Sequence, residues 1–203
     1  MKNRILLAGL ILAVAMISVP VATFAKAPKY EGVKNCALCH RSKKAGGQYE
    51  IWQKSKHADS YKVLGTDKAK AAAKKVGVTT DPQKSDACLI CHTTGHGDPA
   101  SQFSARFKVE DGVQCEACHG PGEHYRKKSV MKKIYAERGA DRKGKSPTAK
   151  KTGLIIPTEK DCLVCHSKTR KYKGKTYTNP EYKPFDFKTY WAKIKHPVPA
   201  GAK

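Results

Sequence analysis

The chain has few of the residues that usually fill a protein core. Of its 203 residues, 39% are hydrophobic and 8% are aromatic. This is little for one or two domains of this length, so something other than side chains is expected to fill part of the interior. No stretch after residue 25 is apolar enough to span a bilayer, which excludes a multi-span membrane protein.

Acidic residues are also scarce, with 17 Asp and Glu against 40 Lys and Arg and a net charge of +23. Residues 126–151 carry eleven basic residues against Glu137 and Asp141, and residues 168–175 form a second basic run. Such runs either solvate a surface or steer acidic partners at low salt. The chain is not expected to be disordered, because cysteines, aromatics and short apolar runs are spread along most of it.

Residues 1–25 have the pattern of a secretory signal peptide. Lys2 and Arg4 precede an apolar run over 5–19, and small residues lead to a cleavage point after Ala25. The alternative is an uncleaved anchor helix, for which the apolar run is short. Both alternatives place the rest of the chain outside the cytoplasm, in the periplasm or the extracellular space, which excludes a nucleic-acid partner.

No cysteine lies outside one repeated pattern, C-x-x-C-H. The four copies are Cys36, Cys39 and His40; Cys88, Cys91 and His92; Cys115, Cys118 and His119; and Cys162, Cys165 and His166. This pattern attaches c-type haem: the two thiols add to the porphyrin vinyl groups and the histidine becomes the proximal iron ligand. Disulfides and zinc sites are the alternatives, but neither requires a histidine after every second cysteine. The sequence therefore predicts four covalently attached haem c groups.

The sixth position of each iron decides what a haem can do. A second protein ligand saturates the iron for electron transfer, whereas an open position can bind a small molecule. Met131 is the one methionine after residue 25, and we expect it to be a packing residue. The histidines outside the motifs equal the motifs in number and are the candidate distal ligands: His57, His96, His124 and His196.

Chain length limits which haem each candidate can reach. His124 follows His119 by five residues and His96 follows His92 by four. Five residues extend to about 17 Å at most, too little to pass around the edge of a porphyrin that is anchored beside them. Each of these histidines therefore ligates a different haem or none, and such crossing ligands would draw the haems together.

The fold is predicted to be mainly α and loop-rich, a multihaem cytochrome c fold in which the haems form most of the core. Residues 26–203 are expected to form one tetrahaem cytochrome c domain. Helices are predicted over 67–76, 127–138 and 187–194, the first two ending at glycines. A short hairpin is predicted near 172–177.

Three segments resemble the tetrahaem cytochrome c-554 family: Trp52 with His57 and Ala58, Cys88–Gly97 (CLICHTTGHG), and Cys115–His124 (CEACHGPGEH). The resemblance covers roughly residues 30–200, and CxxCHGPGxxH is its most specific part. It implies a mostly helical fold around closely packed, partly stacked haems, and electron transfer outside the cytoplasmic membrane.

The resemblance also implies a set of distal ligands. His124 would be distal to the His40 haem, His57 to the His119 haem and His196 to the His166 haem. The His92 haem would have no distal ligand, and the family position that corresponds to His96 resembles an aromatic residue. This chain departs from the family there, so the role of His96 is open.

Three functions are compatible with these residues. The first is an electron carrier that docks redox proteins with acidic surfaces. The second is a redox enzyme acting on a small nitrogen or sulfur compound at an open second haem, although the chain has no C-x-x-C-K motif of the kind found in related enzymes. The third is a subunit of an extracellular filament or other homo-oligomer, to which similar tetrahaem chains assemble by lending a histidine to the next subunit. We expect electron transfer rather than catalysis.

Overall fold

The structure is a computed structural model that describes residues 26–197. The predicted signal peptide lies outside the described residues. In the described part the helices are α1 (Val33–His40), α2 (Gln48–Gln53), α3 (Asp67–Lys75), α4 (Asp86–His92), α5 (Cys115–His119), α6 (Lys128–Arg138), α7 (Pro147–Thr152), α8 (Glu159–Leu163) and α9 (Phe187–Ile194). Single 3₁₀ turns cover Lys43–Ala45, Lys62–Gly65, Pro82–Lys84, Ala100–Gln102 and Val109–Asp111.

The three helices predicted from the sequence are present, as α3, α6 and α9. The hydroxyl of Thr66 accepts a hydrogen bond from the Ala69 N–H and begins α3, which is rich in helix formers. The carboxylate of Asp186 accepts from the Thr189 N–H at 2.6 Å and begins α9. Helix α6 ends at Gly139, whose φ of 74° few other residues adopt without strain.

The predicted hairpin is also present. Strands β1 (Thr169–Tyr172) and β2 (Lys175–Thr178) pair antiparallel, with Arg170 opposite Tyr177. Lys173 and Gly174 form the two-residue turn with φ values of 46° and 74°, the positive values that a type I′ turn requires. The expectation of a mainly α, loop-rich fold is confirmed, because this sheet is small beside the helices.

The apolar core of side chains is small. Its main cluster, Tyr125, Ile134 and Ala149, joins α6 and α7, and Ile134 is fully buried. Met131 packs against this cluster, as expected for a packing residue. By contrast, the large apolar residues inside the first and fourth motifs are exposed, among them Leu38 with 71% of its surface accessible, whereas Leu89 and Ile90 of the second motif are buried. The first and fourth motifs thus present apolar surface that side chains of the described residues leave uncovered.

The attachment motifs lie at the carboxyl ends of helices. His40, His92 and His119 are the last residues of α1, α4 and α5. The fourth motif differs: α8 ends at Leu163, inside the motif, and His166 lies one short turn beyond. Among residues 26–197, no helix is both long enough and apolar enough to cross a membrane.

Candidate haem-attachment sites

The first and third motifs meet at their first cysteines. Cys36 and Cys115 lie close enough that a side-chain hydrogen bond between them raises the pKa of Cys36 and lowers that of Cys115. The carboxylate of Glu116, which is 2% exposed, accepts hydrogen bonds of 2.7 Å from the backbone N–H groups of Glu31, Gly32 and Gly122. The third motif thus holds the amino end of α1 through a residue of its own.

The second and fourth motifs meet at their second cysteines. A hydrogen bond with Cys165 lowers the pKa of Cys91 to about 6 and raises that of Cys165. The guanidinium of Arg170, on β1, lies against both sulfurs, 3.1 Å from Cys165 Sγ and 3.7 Å from Cys91 Sγ. Here a residue from outside both motifs joins them.

The third and fourth motifs are also neighbours, which places the first–third pair beside the second–fourth pair. Burial, followed by the nearby Cys162 thiol, raises the pKa of Cys118 to about 11. The motifs therefore neighbour one another in the spatial order first, third, fourth, second. This order differs from the order along the chain.

Backbone carbonyls orient two of the motif histidines. His92 Nδ1 donates to the Ser60 carbonyl at 2.7 Å, and His119 Nδ1 donates to the Ile155 carbonyl at 2.9 Å. A proton on Nδ1 leaves Nε2 free as the ligand atom, and metal-binding histidines commonly use this arrangement. Both rings are therefore presented as proximal ligands would be.

The segment Trp52–Ser60 connects three of the motifs. Trp52 Nε1 donates to the Val113 carbonyl at 2.8 Å, beside the third motif. The Ser60 hydroxyl donates to the His92 carbonyl at 2.9 Å and so holds the second motif. His57, between these two anchors, faces His166 of the fourth motif. The position of His57 therefore depends on the second, third and fourth motifs.

Two histidines outside the motifs each face a motif histidine. The ring centres of His57 and His166 are 6.1 Å apart, and those of His119 and His196 are 6.4 Å apart. Two imidazoles on opposite sides of one iron would have ring centres about 6 Å apart, since a metal–imidazole bond is about 2.0 Å and each ring centre lies about 1 Å beyond its nitrogen. Both pairs fit a bis-histidine haem.

The family resemblance implied another pairing, with His57 distal to the His119 haem and His196 distal to the His166 haem. The ring centres place His57 beside His166 and His196 beside His119. The assignment of each distal ligand to a haem stays a prediction.

Burial keeps these rings neutral, the form that binds metal. It lowers the pKa of His57 and His166, and His57 is lowered further by the nearby His166. Burial, followed by the proximity of His119 and His40, lowers the pKa of His196 to about 4. The pKa values of His92 and His119 are also lowered by burial.

His40 and His124 are placed differently from the paired histidines. His40 Nδ1 is buried, and the described residues offer it no hydrogen-bond partner. His124 is exposed, and its neighbour Glu123 accepts a hydrogen bond of 2.8 Å from the Lys29 N–H, close to the first motif. The loop of His124 thus lies near the motif for which the resemblance implied it as distal ligand.

His96 contacts one residue of α4 and one of β1. Its Nε2 donates to Asp86 Oδ1 at 2.7 Å, and its ring packs against Tyr172 with ring centres 5.7 Å apart. This hydrogen bond occupies one of the two ring nitrogens. Within residues 26–197, no imidazole faces His92 as His57 faces His166.

The eight cysteines are free, and residues 26–197 contain no group of three or more His, Cys, Asp or Glu side chains that could hold a metal ion. Each motif supplies two thiols followed by an imidazole, the donor set that porphyrin attachment requires.

Several residues of these sites were not predicted from the sequence. Arg170 and Glu116 contact the motif pairs, and Ser60 fixes the His92 ring. Phe185 stacks on His166 with ring centres 4.6 Å apart, and Tyr190 packs behind it at 6.2 Å. The aromatic run over 182–191 was the one available signal for this last group.

Comparison with known proteins finds related cytochromes. The family model described as "Cytochrome c554 and c-prime" matches residues 35–120. Cytochrome c-554 of Nitrosomonas europaea is 28% identical over 184 residues, which cover 87% of this chain and 74% of that protein. The structure of reduced cytochrome c554 from the same organism superposes with a TM-score of 0.50 and 26% identity, covering 83% of this chain and 79% of that one.

The matched region contains the first three attachment motifs, and the similarity in sequence and fold extends over most of the chain. The predicted resemblance to the cytochrome c-554 family, which comprises multihaem c-type cytochromes involved in electron transfer, is confirmed.

Proposed function

We propose that this protein is an exported electron carrier with four haem c groups, one on each C-x-x-C-H motif. The observation that carries the proposal is that the motifs neighbour one another in the order first, third, fourth, second, joined at the two ends by Glu116 and Arg170, together with the two histidine pairs. Haem c supplies reversible one-electron iron chemistry when bound. Neighbouring motifs favour one continuous carrier over four independent sites.

The residues of the chain have separate roles in this proposal. The paired cysteines of each motif anchor the group, and the motif histidine is the proximal ligand. His57 and His196 are the distal ligands at the fourth and third motifs, where they saturate the iron. His124 is the distal ligand at the first motif, as the family resemblance implies.

The second motif is the exception. His57 and His196 are committed to other motifs, and His96 is held by Asp86. We therefore assign the second haem no distal ligand from its own chain. This is the one position at which a small molecule, or a histidine lent by a second copy of the chain, could bind iron.

A basic surface on α6 and α7 is the proposed docking site for acidic redox proteins. Its exposed lysines are Lys127, Lys128, Lys132, Lys133, Lys150 and Lys151. Glu137 is the one carboxylate on α6; it accepts hydrogen bonds from Thr148 Oγ1 at 2.6 Å and from the Ser146 hydroxyl, and Lys133 is nearby. The surface adjoins the third motif through Ile155, which follows α7 and whose carbonyl accepts the hydrogen bond from His119 Nδ1.

The stoichiometry of the exported protein tests the proposal. The intact mass should exceed that of the polypeptide cleaved after residue 25 by four haems, with no thiol left for alkylation. The matched variant Cys162→Ala/Cys165→Ala should carry three haems. Reactive thiols in the parent protein, or tightly bound zinc in place of haem, would contradict the proposal.

The electron-transfer role is tested separately by stopped-flow measurement. The oxidised four-haem protein should accept four electrons from a reductant and return them to an external oxidant without consuming another substrate. Turnover of a nitrogen or sulfur compound faster than this exchange would favour the enzyme alternative.

A further inference from the structure

The hairpin directs one face towards the second and fourth motifs. Along β1 the side chains alternate between the two faces of the strand, so Thr169 and Lys171 are exposed while Arg170 and Tyr172 are half-buried. Arg170 and Tyr172 therefore lie on the inward face. This face carries a guanidinium group next to the attachment cysteines.

Arg170 contacts both motifs through a single nitrogen. Nη1 donates to the Ile90 carbonyl of the second motif, and it lies 3.1 Å from Cys165 Sγ and 3.7 Å from Cys91 Sγ. A guanidinium with several fixed donors can hold such a set of acceptors in one geometry. The contact therefore fixes the relative position of two motifs that are far apart in the sequence.

The charge of this group is not neutralised locally. A guanidinium stays protonated at every physiological pH, and sulfur is only a weak acceptor. In the described residues, 26–197, Arg170 forms no ion pair with a carboxylate. A half-buried positive charge thus lies at the contact of two attachment sites.

We propose that Arg170 is a positioning residue that holds the second and fourth haems in place and raises the reduction potentials of both. The proposal rests on the proposed function, since it requires haems at Cys91 and Cys165. Reduction adds one electron to the iron, so a nearby positive charge stabilises the reduced state relative to the oxidised state. Among residues 26–197, no hydrogen bond joins a cationic side chain to the cysteine sulfurs of the first and third motifs; there the buried side chain is the Glu116 carboxyl group, and the nearby Arg126 is paired with Glu31.

Spectroelectrochemical titration of the intact four-haem protein tests this inference. Arg170→Gln removes the charge and keeps a polar side chain of similar length. The matched control is Lys171→Gln, which removes one charge from the same strand on its exposed face. Arg170→Lys retains the charge but not the planar set of donors.

In Arg170→Gln, two of the four haems should shift to lower potential. At a fixed applied potential their ratio of reduced to oxidised form should fall by about tenfold, equivalent to 59 mV for a one-electron couple. Lys171→Gln should leave all four potentials nearly unchanged, and Arg170→Lys should remain close to the parent protein. A purely structural role would not produce this dependence on charge.

Three outcomes would overturn the inference. The haem potentials of Arg170→Gln could shift no more than those of Lys171→Gln, could all four shift equally, or could equal those of Arg170→Lys. The comparison of potentials is made only between variants that carry as many haems as the parent protein, and the intact mass of each variant is measured first to establish this. A parent protein with fewer than four haems would refute the proposed function instead, so the two failures are distinct.

Discussion

The first–third contact, at Cys36 and Cys115, and the second–fourth contact, at Cys91 and Cys165, are built in different ways. In the first–third contact the joining side chains, Glu116 and Gln114, belong to the third motif or directly precede it. They accept hydrogen bonds of 2.7 Å from the backbone at the amino end of α1. In the second–fourth contact one residue of a later hairpin, Arg170, bridges the motifs.

The two contacts therefore divide structural and electrostatic roles. Glu116 is buried and satisfies three backbone donors, so its removal should affect folding above all. The pKa of Glu116 is raised: burial is the largest cause, and the three backbone hydrogen bonds oppose it only in part. Two of the three acceptors of Arg170 are weakly accepting sulfurs, so its charge is expected to matter more than its hydrogen bonds. The predictions below act on one contact or the other.

The largest expected effect is the loss of stability in Glu116→Ala. Three buried N–H groups would lose their partner, and each unpaired buried donor costs about 1–3 kcal/mol. The free energy of unfolding should fall by at least about 3 kcal/mol, or the holoprotein should fail to accumulate. Denaturant unfolding followed by circular dichroism measures this. Glu110→Ala, at an exposed carboxylate, is the control, and equal stability of the two variants would contradict the structural role.

The distal ligands separate the two contacts spectroscopically. His57→Ala should convert the haem at the fourth motif from low to high spin, and His196→Ala should do so at the third motif. Electron paramagnetic resonance of the oxidised protein counts one low-spin haem lost in each variant.

Removal of one motif identifies which haem is affected. In a background without the fourth haem (Cys162→Ala/Cys165→Ala), His57→Ala should remove no further low-spin signal, whereas His196→Ala still should. The opposite pattern would restore the assignment that the family resemblance implied.

The second–fourth contact should contain the one reactive haem. The oxidised monomer is expected to show three low-spin haems and one high-spin haem, and only the latter should bind cyanide. His96→Ala should leave these counts unchanged in dilute monomer, because Asp86 already holds the ring. A change to four low-spin haems on assembly, abolished by His96→Ala, would establish a shared ligand between chains. Four low-spin haems in a proven monomer would contradict the assignment.

The sequence alone predicted the local secondary structure of this protein well. C-x-x-C-H is a contiguous pattern with one dominant chemistry, so the sequence names attachment cysteines and proximal histidines, and these roles stay a prediction. Helices α3, α6 and α9 and the hairpin followed from helix formers, capping residues and turn residues. Each of these features depends on interactions within about ten residues.

Features that depend on tertiary contacts were not predictable in the same way. The order first, third, fourth, second cannot be read from the chain, because it depends on how Glu116 and Arg170 join distant segments. The pairing of His57 with His166 depends on the anchoring of Trp52 at Val113. Chain length excluded some ligand pairs but could not choose among the rest.

The smallest expected effect concerns docking, and it compares the surfaces beside the two contacts. Lys128, Lys132 and Lys133 are exposed on α6, near the third motif, whereas the exposed lysines of the second basic run lie around the hairpin, near the second and fourth motifs: Lys168, Lys171 and Lys175. Replacing the three α6 lysines by glutamine should slow electron exchange with a small acidic electron-transfer protein by about threefold to tenfold at 0.01 M ionic strength, where charges act over about 30 Å. The same replacement at the three hairpin lysines, which changes the net charge equally, should have a smaller effect. Stopped-flow rates at 0.01 M and 1 M salt measure the electron exchange of both variants, and the difference between them should vanish at 1 M because the screening length falls to about 3 Å.

Equal slowing of electron exchange in both variants at low salt would show that net charge alone attracts the partner, and that the partner does not dock on α6.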